Sequence, residues 1–224
     1  MSKTVSEFAL TAGLVLAMAL TFSCSSDDDG GGDDNGGKLG DKGNDIGNYR
    51  TVVIGTQTWM AENLNYAVEG SKCYDNNPAN CDKYGRLYDW ATAMALPPSC
   101  NENSCSSQIQ QPHQGICPSG WHIPSKDDLD VLMEAVDTSG TKLKATSGWN
   151  ENGNGTDESG FSALPGGGGS DGSFEGVGYI GIWWSTSEQS SSRAHHWYMR
   201  FDRNGVTWNG DDKSPLFSIR CVKD

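Results

Sequence analysis

The stretch GICPSGWHIPSKDDLDVLM, residues 115–133, places a cysteine, a Trp-His pair, two prolines and a helix start within nineteen positions. Ser125 is a good N-cap, because its side-chain oxygen can accept from an otherwise unpaired N–H of the first turn. Asp127 and Asp128 follow where carboxylates oppose the positive end of a helix. Leu129, Leu132, Met133 and Val136 recur at helical spacing, so Lys126 to about Val136 reads as an amphipathic helix. Trp121, His122 and Ile123 then form a strand entering that helix, with Trp121 and Ile123 filling core. His122 is expected to be structural, donating a ring N–H to backbone.

The chain outside this frame divides into three. Ala9 to Phe22 is an apolar run behind Lys3, too short to cross a bilayer comfortably and placed where a secretory leader places its apolar segment. The sequence TFSC at its end resembles a bacterial lipobox, with Thr21 at the position usually held by Leu. Residues 1–23 are therefore expected to be a lipoprotein signal peptide and Cys24 the lipidated residue; a plain leader cut near Ser23 is the alternative. Residues 24–48 hold seven Asp and two Lys, a net charge of −5, with almost nothing apolar. Such a segment buries too little surface to offset its chain entropy and is expected to be a flexible tether. Ser25 resembles outer-membrane sorting. Ser26-Asp27-Asp28-Asp29 resembles the acidic surface-export signals of Bacteroidetes-type lipoproteins, against a solvated spacer. Residues 49–224 remain as one domain.

The whole chain carries −13, so removing the tether's −5 leaves −8 for the domain. No Lys/Arg cluster offsets this, which argues against nucleic acid. With 29 Gly, 8 Trp and only 35% hydrophobic residues, the composition points to a loop-rich fold anchored by aromatics.

Six cysteines follow Cys24. Many pairings are open to six cysteines from sequence alone. Cys73 and Cys81 flank the turn-rich YDNNPAN, and Cys100 and Cys105 flank NENS, which leaves Cys117 for Cys221. No spacing matches a zinc knuckle, and export favours oxidation.

TVVIGTQTWM reads as a hairpin over Gly55-Thr56. YGRLYDWATAMAL, from Tyr84, reads as an extended piece running into a helix with Trp90, Ala93 and Met94 inward, stopped by Pro97-Pro98. Residues 148–178 read as long Gly-rich loops. GYIGIWWSTS reads as a buried strand, HHWYMRFDRNGVTW as a hairpin over a tight Asn204-Gly205 turn, and FSIRCV as the closing strand. Two helices followed by long loops and short antiparallel strands make an α+β fold.

IGTQTWMAENLNY (54–66), CYDNNPANCDKYGRLYDWATAM (73–94), GICPSGWHIPS (115–125), GFSALPGG (160–167), GYIGIWWSTSE (178–188) and SIRCVKD (218–224) occur in that order. Together they closely resemble the Fibrobacter succinogenes major paralogous domain, a family of exported bacterial proteins. The resemblance covers essentially all of 50–224. It implies a C-type lectin-like fold, shared with the formylglycine-generating enzymes, and a cell-surface location. WHIPSKDDLDVL is similar to the helix start of those enzymes and SIRCV to their closing strand. Their reactive cysteine pair has no counterpart here, since only Cys221 lies late in the chain.

No enzyme is expected. Cys117 with His122 would make a nucleophilic pair only if the sulfur were free. GGGG at 166–169 lacks the Gly-Lys-Ser/Thr of a phosphate loop. His195 and His196 point to opposite faces of one strand and do not share a metal. Trp208, Asn209, Asp211 and Asp212 are the candidate ligand-binding residues, and Asn209, Asp211 and Asp212 the candidate calcium ligands, in a run that departs from the Trp-Asn-Asp of sugar-binding lectins by an inserted Gly210. No other cofactor is expected. The expected role is a non-catalytic binding or adhesion module, held at the outer membrane by lipid and facing a polysaccharide or surface protein. The alternatives are a structural cell-envelope component without a small ligand, and an enzyme related to the formylglycine-generating ones.

Overall fold

A computed structural model describes residues 40–224. Residues 1–39, which include the expected leader, the expected lipidation residue Cys24 and the first part of the acidic stretch, lie outside the described residues. Residues 40–48 do not behave as tether. Asp41 accepts from Gly43 N and Ala67 N, Lys42 pairs with Glu62 at 2.7 Å, and Tyr49 Oη donates to Gly43 O. The packed chain therefore starts by residue 40, because two of its charges find partners on the domain.

The first hairpin is β1 (Thr51–Ile54) and β2 (Gln57–Met60). Gly55 turns it with φ 59°, and a Cβ there would stand 2.8 Å from Ala135 Cβ. The segment after Cys73 is a 3-10 turn, Tyr74–Asn76, followed by α1 (Pro78–Tyr84). This helix was expected to be loop; Asn77 caps it and Pro78 fits its first turn, where no N–H is needed. Next come α2 (Trp90–Ala93), capped by Asp89, and the short strand β3 (Trp121–His122). The helix α3 (Lys126–Ala135) starts on a full capping box between Ser125 and Asp128. Then α4 (Gly140–Leu143) follows, so the described residues hold four α-helices rather than two. A small hairpin, β4 (Gly168–Ser170) with β5 (Ser173–Glu175), interrupts the Gly-rich region that was expected to be loop throughout. The long strands are β6 (Ile180–Glu188), β7 (Arg193–Arg200) and β8 (Val206–Asp212). The chain closes on β9 (Val222–Lys223), the only regular part of FSIRCV. The β7–β8 connection spans residues 201–205, longer than the tight Asn204-Gly205 turn expected.

The fold is α+β with short antiparallel sheets. One sheet has the order β1-β2-β9-β3, the second is β4-β5, and the third is β6-β7-β8. Val222 pairs with both Trp59 and His122, so the last strand closes onto the first hairpin and the α3 entry. The disulfide Cys117–Cys221 locks that closure. Cys73–Cys81 and Cys100–Cys105 are also bonded. Bridging residues 104 apart removes a large loop entropy from the unfolded chain, on the order of 4–5 kcal/mol in the chain-entropy model.

Two apolar clusters form the core. One gathers Tyr88, Trp90, Ile123, Trp184 and Cys117; the other lies under α3 and holds Trp59, Leu132, Phe161, Trp183 and Trp197. The second is a run of rings. Trp183 stacks on Trp197 at 4.4 Å, Phe161 meets Trp197 at 6.0 Å, and Trp59 meets Phe161 edge-on at 5.7 Å. Aromatics thus do the filling that Leu and Ile do in most domains.

Candidate functional site

The β4–β5 hairpin stands beside β6, and the chain after β8 folds back against it. Gly169 and Leu216 exchange backbone hydrogen bonds, and Gly167 bridges to Gly181. Between these walls lies an open groove of about 630 Å³. The glycines of GGGG let the walls close. Gly167 has φ 66°, and a Cβ on it would fall 2.3 Å from Glu175 O; one on Gly168 would fall 3.1 Å from Leu216 O. The motif is a close backbone approach, not an anion cradle.

Ile180, Ile182 and Phe217 give the groove an apolar floor. Asp171, Glu175, Asp211 and Asp212 stand around it, with Ser170, Ser173 and Ser214 between them. Arg193 reaches Asp212 at 3.5 Å; no cation lines the groove itself. Chemically this is a surface rich in hydrogen-bond acceptors over an apolar base. It suits a ligand with hydroxyl donors and a C–H face, and its field disfavours anions.

The structure divides the four candidate residues of β8. Asp211 and Asp212 line the groove. Trp208 turns to the opposite side of the sheet from Asp211, as alternation along a strand requires, while Asp212 reaches the groove's rim from the last position of β8. There it stacks on His195, with centroids 5.1 Å apart, and borders a cleft of about 110 Å³ with Leu129, Met133 and Trp197. Asn209 is exposed, and its carbonyl faces His195 Nδ1 at 3.2 Å. Among the described residues, no group of three or more His, Cys, Asp or Glu is placed to hold a metal ion.

His196 lies on the groove side of β7, packed against Trp184, Tyr198 and Phe217. It is 5% exposed, and its Nδ1 has no partner among the described residues. Burial pushes its pKa down to about 4. It is a neutral filler beneath the groove's Phe217.

His122 does not donate to backbone, contrary to expectation. Its Nδ1 lies 2.7 Å from Asp224 Oδ1 and its Nε2 3.4 Å from Asp128 Oδ2. Burial lowers its pKa, but the hydrogen bonds to Asp128 and Asp224 outweigh burial and raise it. Asp128 is the carboxylate that also accepts from Ser125 N and Oγ, so His122 ties the helix start to the closing strand. Cys117 is spent on Cys221, which leaves His122 no thiol to activate.

Lys213 and Arg220 are buried cations that nothing local in the sequence announces. Lys213 Nζ is fully enclosed and donates to Glu188 and to the carbonyls of Cys100, Asn103 and Ser191. Glu188 in turn accepts from Cys105 N, Ser106 N and Ser104 Oγ. The pair therefore holds the Cys100–Cys105 loop onto β6. Arg220, the Arg of SIRCV, is 1% exposed and bonds only neutral oxygens. No local pattern announces either partner: Glu188 and Lys213 are 25 residues apart, Asn63 and Arg220 157.

Compared with known proteins, residues 52–223 match a family model described as the Fibrobacter succinogenes major domain. No curated protein and no solved structure matches the chain.

Proposed function

The chain belongs to the Fibrobacter succinogenes major domain family, and on that premise we propose that it is a non-catalytic binding module of the cell surface whose ligand is a neutral polysaccharide. The observation that carries this reading is the groove under the β4–β5 hairpin. Its carboxylates and serine hydroxyls offer acceptors to sugar hydroxyls, while Ile180, Ile182 and Phe217 offer an apolar base to a ring's C–H face. A uronic-acid polymer would meet four carboxylates and be repelled. Calcium is not part of the contact in this proposal: Asp211 and Asp212 meet the sugar directly. The lectin-like fold, the lipid anchor at Cys24 and the outer-membrane location belong to the same proposal, and their support is the resemblance in sequence.

The test is a pull-down of the full chain on insoluble neutral and acidic polysaccharides, in calcium and in chelator. Retention on a neutral polymer, lost in Asp211→Ala with Asp212→Ala, supports the reading. A chain retained by none of them would stand instead as a structural envelope component.

A further inference from the structure

The Cys73–Cys81 bridge has a cation on its sulfurs. Arg86 Nη1 lies 3.7 Å from Cys73 Sγ and 3.6 Å from Cys81 Sγ. Its other bonds go to Ser71 Oγ, Ser71 O and Gly40 O, all neutral oxygens. The guanidinium is thus fixed by three neutral oxygens, with no carboxylate bonded to it among the described residues. Among the described residues, this is the one bridge of the three with a cationic donor on sulfur. A cleft of about 330 Å³ opens beside it, lined by Cys73, Arg86, Lys72, Asn76 and the carboxylate-bearing Asp41. Cys73 is 8% exposed and Cys81 1%. At the other two bridges, Cys117 and Cys221 are completely enclosed, and the cation near Cys100–Cys105, Lys213, donates to the Glu188 carboxylate and to backbone carbonyls rather than to sulfur.

We propose that Cys73–Cys81 is a thiol-exchange site, at which an external thiolate attacks Cys73 and Cys81 leaves as a thiolate held by Arg86. One S–S bond forms, between the incoming sulfur and Cys73. One breaks, and its electron pair goes to Cys81 Sγ. The co-reactant is a thiol, either a small molecule or a cysteine of another protein, and no net oxidation occurs. The fixed guanidinium lowers the energy of the leaving thiolate, and a better leaving thiolate speeds exchange. Lys72 and Arg86 outweigh Asp41 among the charges lining the cleft, so its field favours the incoming anion. The product carries the partner covalently on the face of the domain that holds α1.

The full chain is treated with glutathione under native conditions, quenched by alkylation and mapped by peptide mass. The expected product has glutathione on Cys73 and the alkyl label on Cys81, formed at least about tenfold faster than reaction at either other bridge. Arg86→Gln slows this exchange by about tenfold, and Arg86→Lys restores most of it, as loss and return of thiolate stabilisation require. If Arg86 only braced the loop, Arg86→Gln would loosen the bridge and speed the reaction. Faster or unchanged exchange in Arg86→Gln, equal rates at all three bridges, or glutathione on Cys81 each overturns the proposal.

Discussion

Arg220 donates two hydrogen bonds to one atom of Asn63: Nε at 3.1 Å and Nη2 at 2.8 Å, both to Oδ1. Trp183 Nε1 donates to the same oxygen at 2.8 Å. The guanidinium lies 4.2 Å from the Phe161 ring centroid and also donates to Phe161 O. A buried charge is thus satisfied by an amide, a carbonyl and a π-face, with no carboxylate bonded to it, and burial pushes its pKa down to about 9. Asn63→Ala leaves the guanidinium and an indole N–H without their acceptor, and is expected to cost about 3–4 kcal/mol in urea unfolding, several times an ordinary hydrogen bond. Arg220→Met removes charge and need together and is expected to cost less. A loss under about 1 kcal/mol in Asn63→Ala would contradict this network.

Lys213 and Glu188 give the complementary case, a buried pair with opposite charges. Lys213→Met leaves Glu188 enclosed and three carbonyls unpaired, and is expected to cost about 3–5 kcal/mol. Burial alone would raise the Glu188 pKa, but Lys213, Cys105 N and Ser104 Oγ hold it below the ordinary value. The stability from this carboxylate is present above its unfolded pKa of about 4.3 and is lost as pH falls through the lower folded value. The thermal midpoint of Lys213→Met is therefore expected to fall less on acidification than that of wild type.

His122 and His196, both buried, act on stability with opposite signs. His122, raised in the folded state, stabilises fully below its unfolded pKa of about 6.5, and that stability is lost as pH rises through the folded value. His196, at about 4 in the folded state, must stay neutral. The unfolded chain takes up that proton first, so stability falls by about 3 kcal/mol as pH drops from about 6.5 to 4. Chemical denaturation across pH is expected to show His122→Gln without the alkaline loss and His196→Phe without this part of the acid loss.

Trp208 and the groove lie on opposite sides of the β6–β7–β8 sheet. Trp208→Ala strips the cover from His195 and the α3 cleft, and is expected to cost about 1–3 kcal/mol of stability. Polysaccharide retention is expected to be unchanged, measured on the same resin as wild type. A selective loss of retention would move the ligand to the α3 side.

What the sequence revealed was local. The α3 start was readable because Ser125 and Asp128 form their capping box within four residues. The disulfides followed from short loops, which left one distant pair. The Gly55 turn was legible from the β-branched residues on either side. The start of α1 is also local, with Asn77 capping and Pro78 in the first turn, but the Asn-rich stretch around it reads as turn. The β4–β5 hairpin was hidden because glycine leaves no alternation to read; its strands are set by how closely Gly167 and Gly168 approach Glu175 and Leu216. The candidate residues of β8 were named as one site, yet strand alternation sends Trp208 away from Asp211. The groove joins residues from 168 to 217, and the walls of such a site meet only after the sheet has formed.

The central claim is that the carboxylate-rimmed groove is the ligand site. Its most direct measurement is retention of the full chain on a neutral polysaccharide, compared with the double variant Asp211→Asn, Asp212→Asn, which keeps side-chain size and removes charge. The account predicts retention by wild type in both calcium and chelator, a loss of at least about tenfold in the variant, as two charged hydrogen bonds of about 1.5–3 kcal/mol each imply, and no retention on a uronic-acid polymer. Equal retention of wild type and variant, or preferential retention on the acidic polymer, would contradict it.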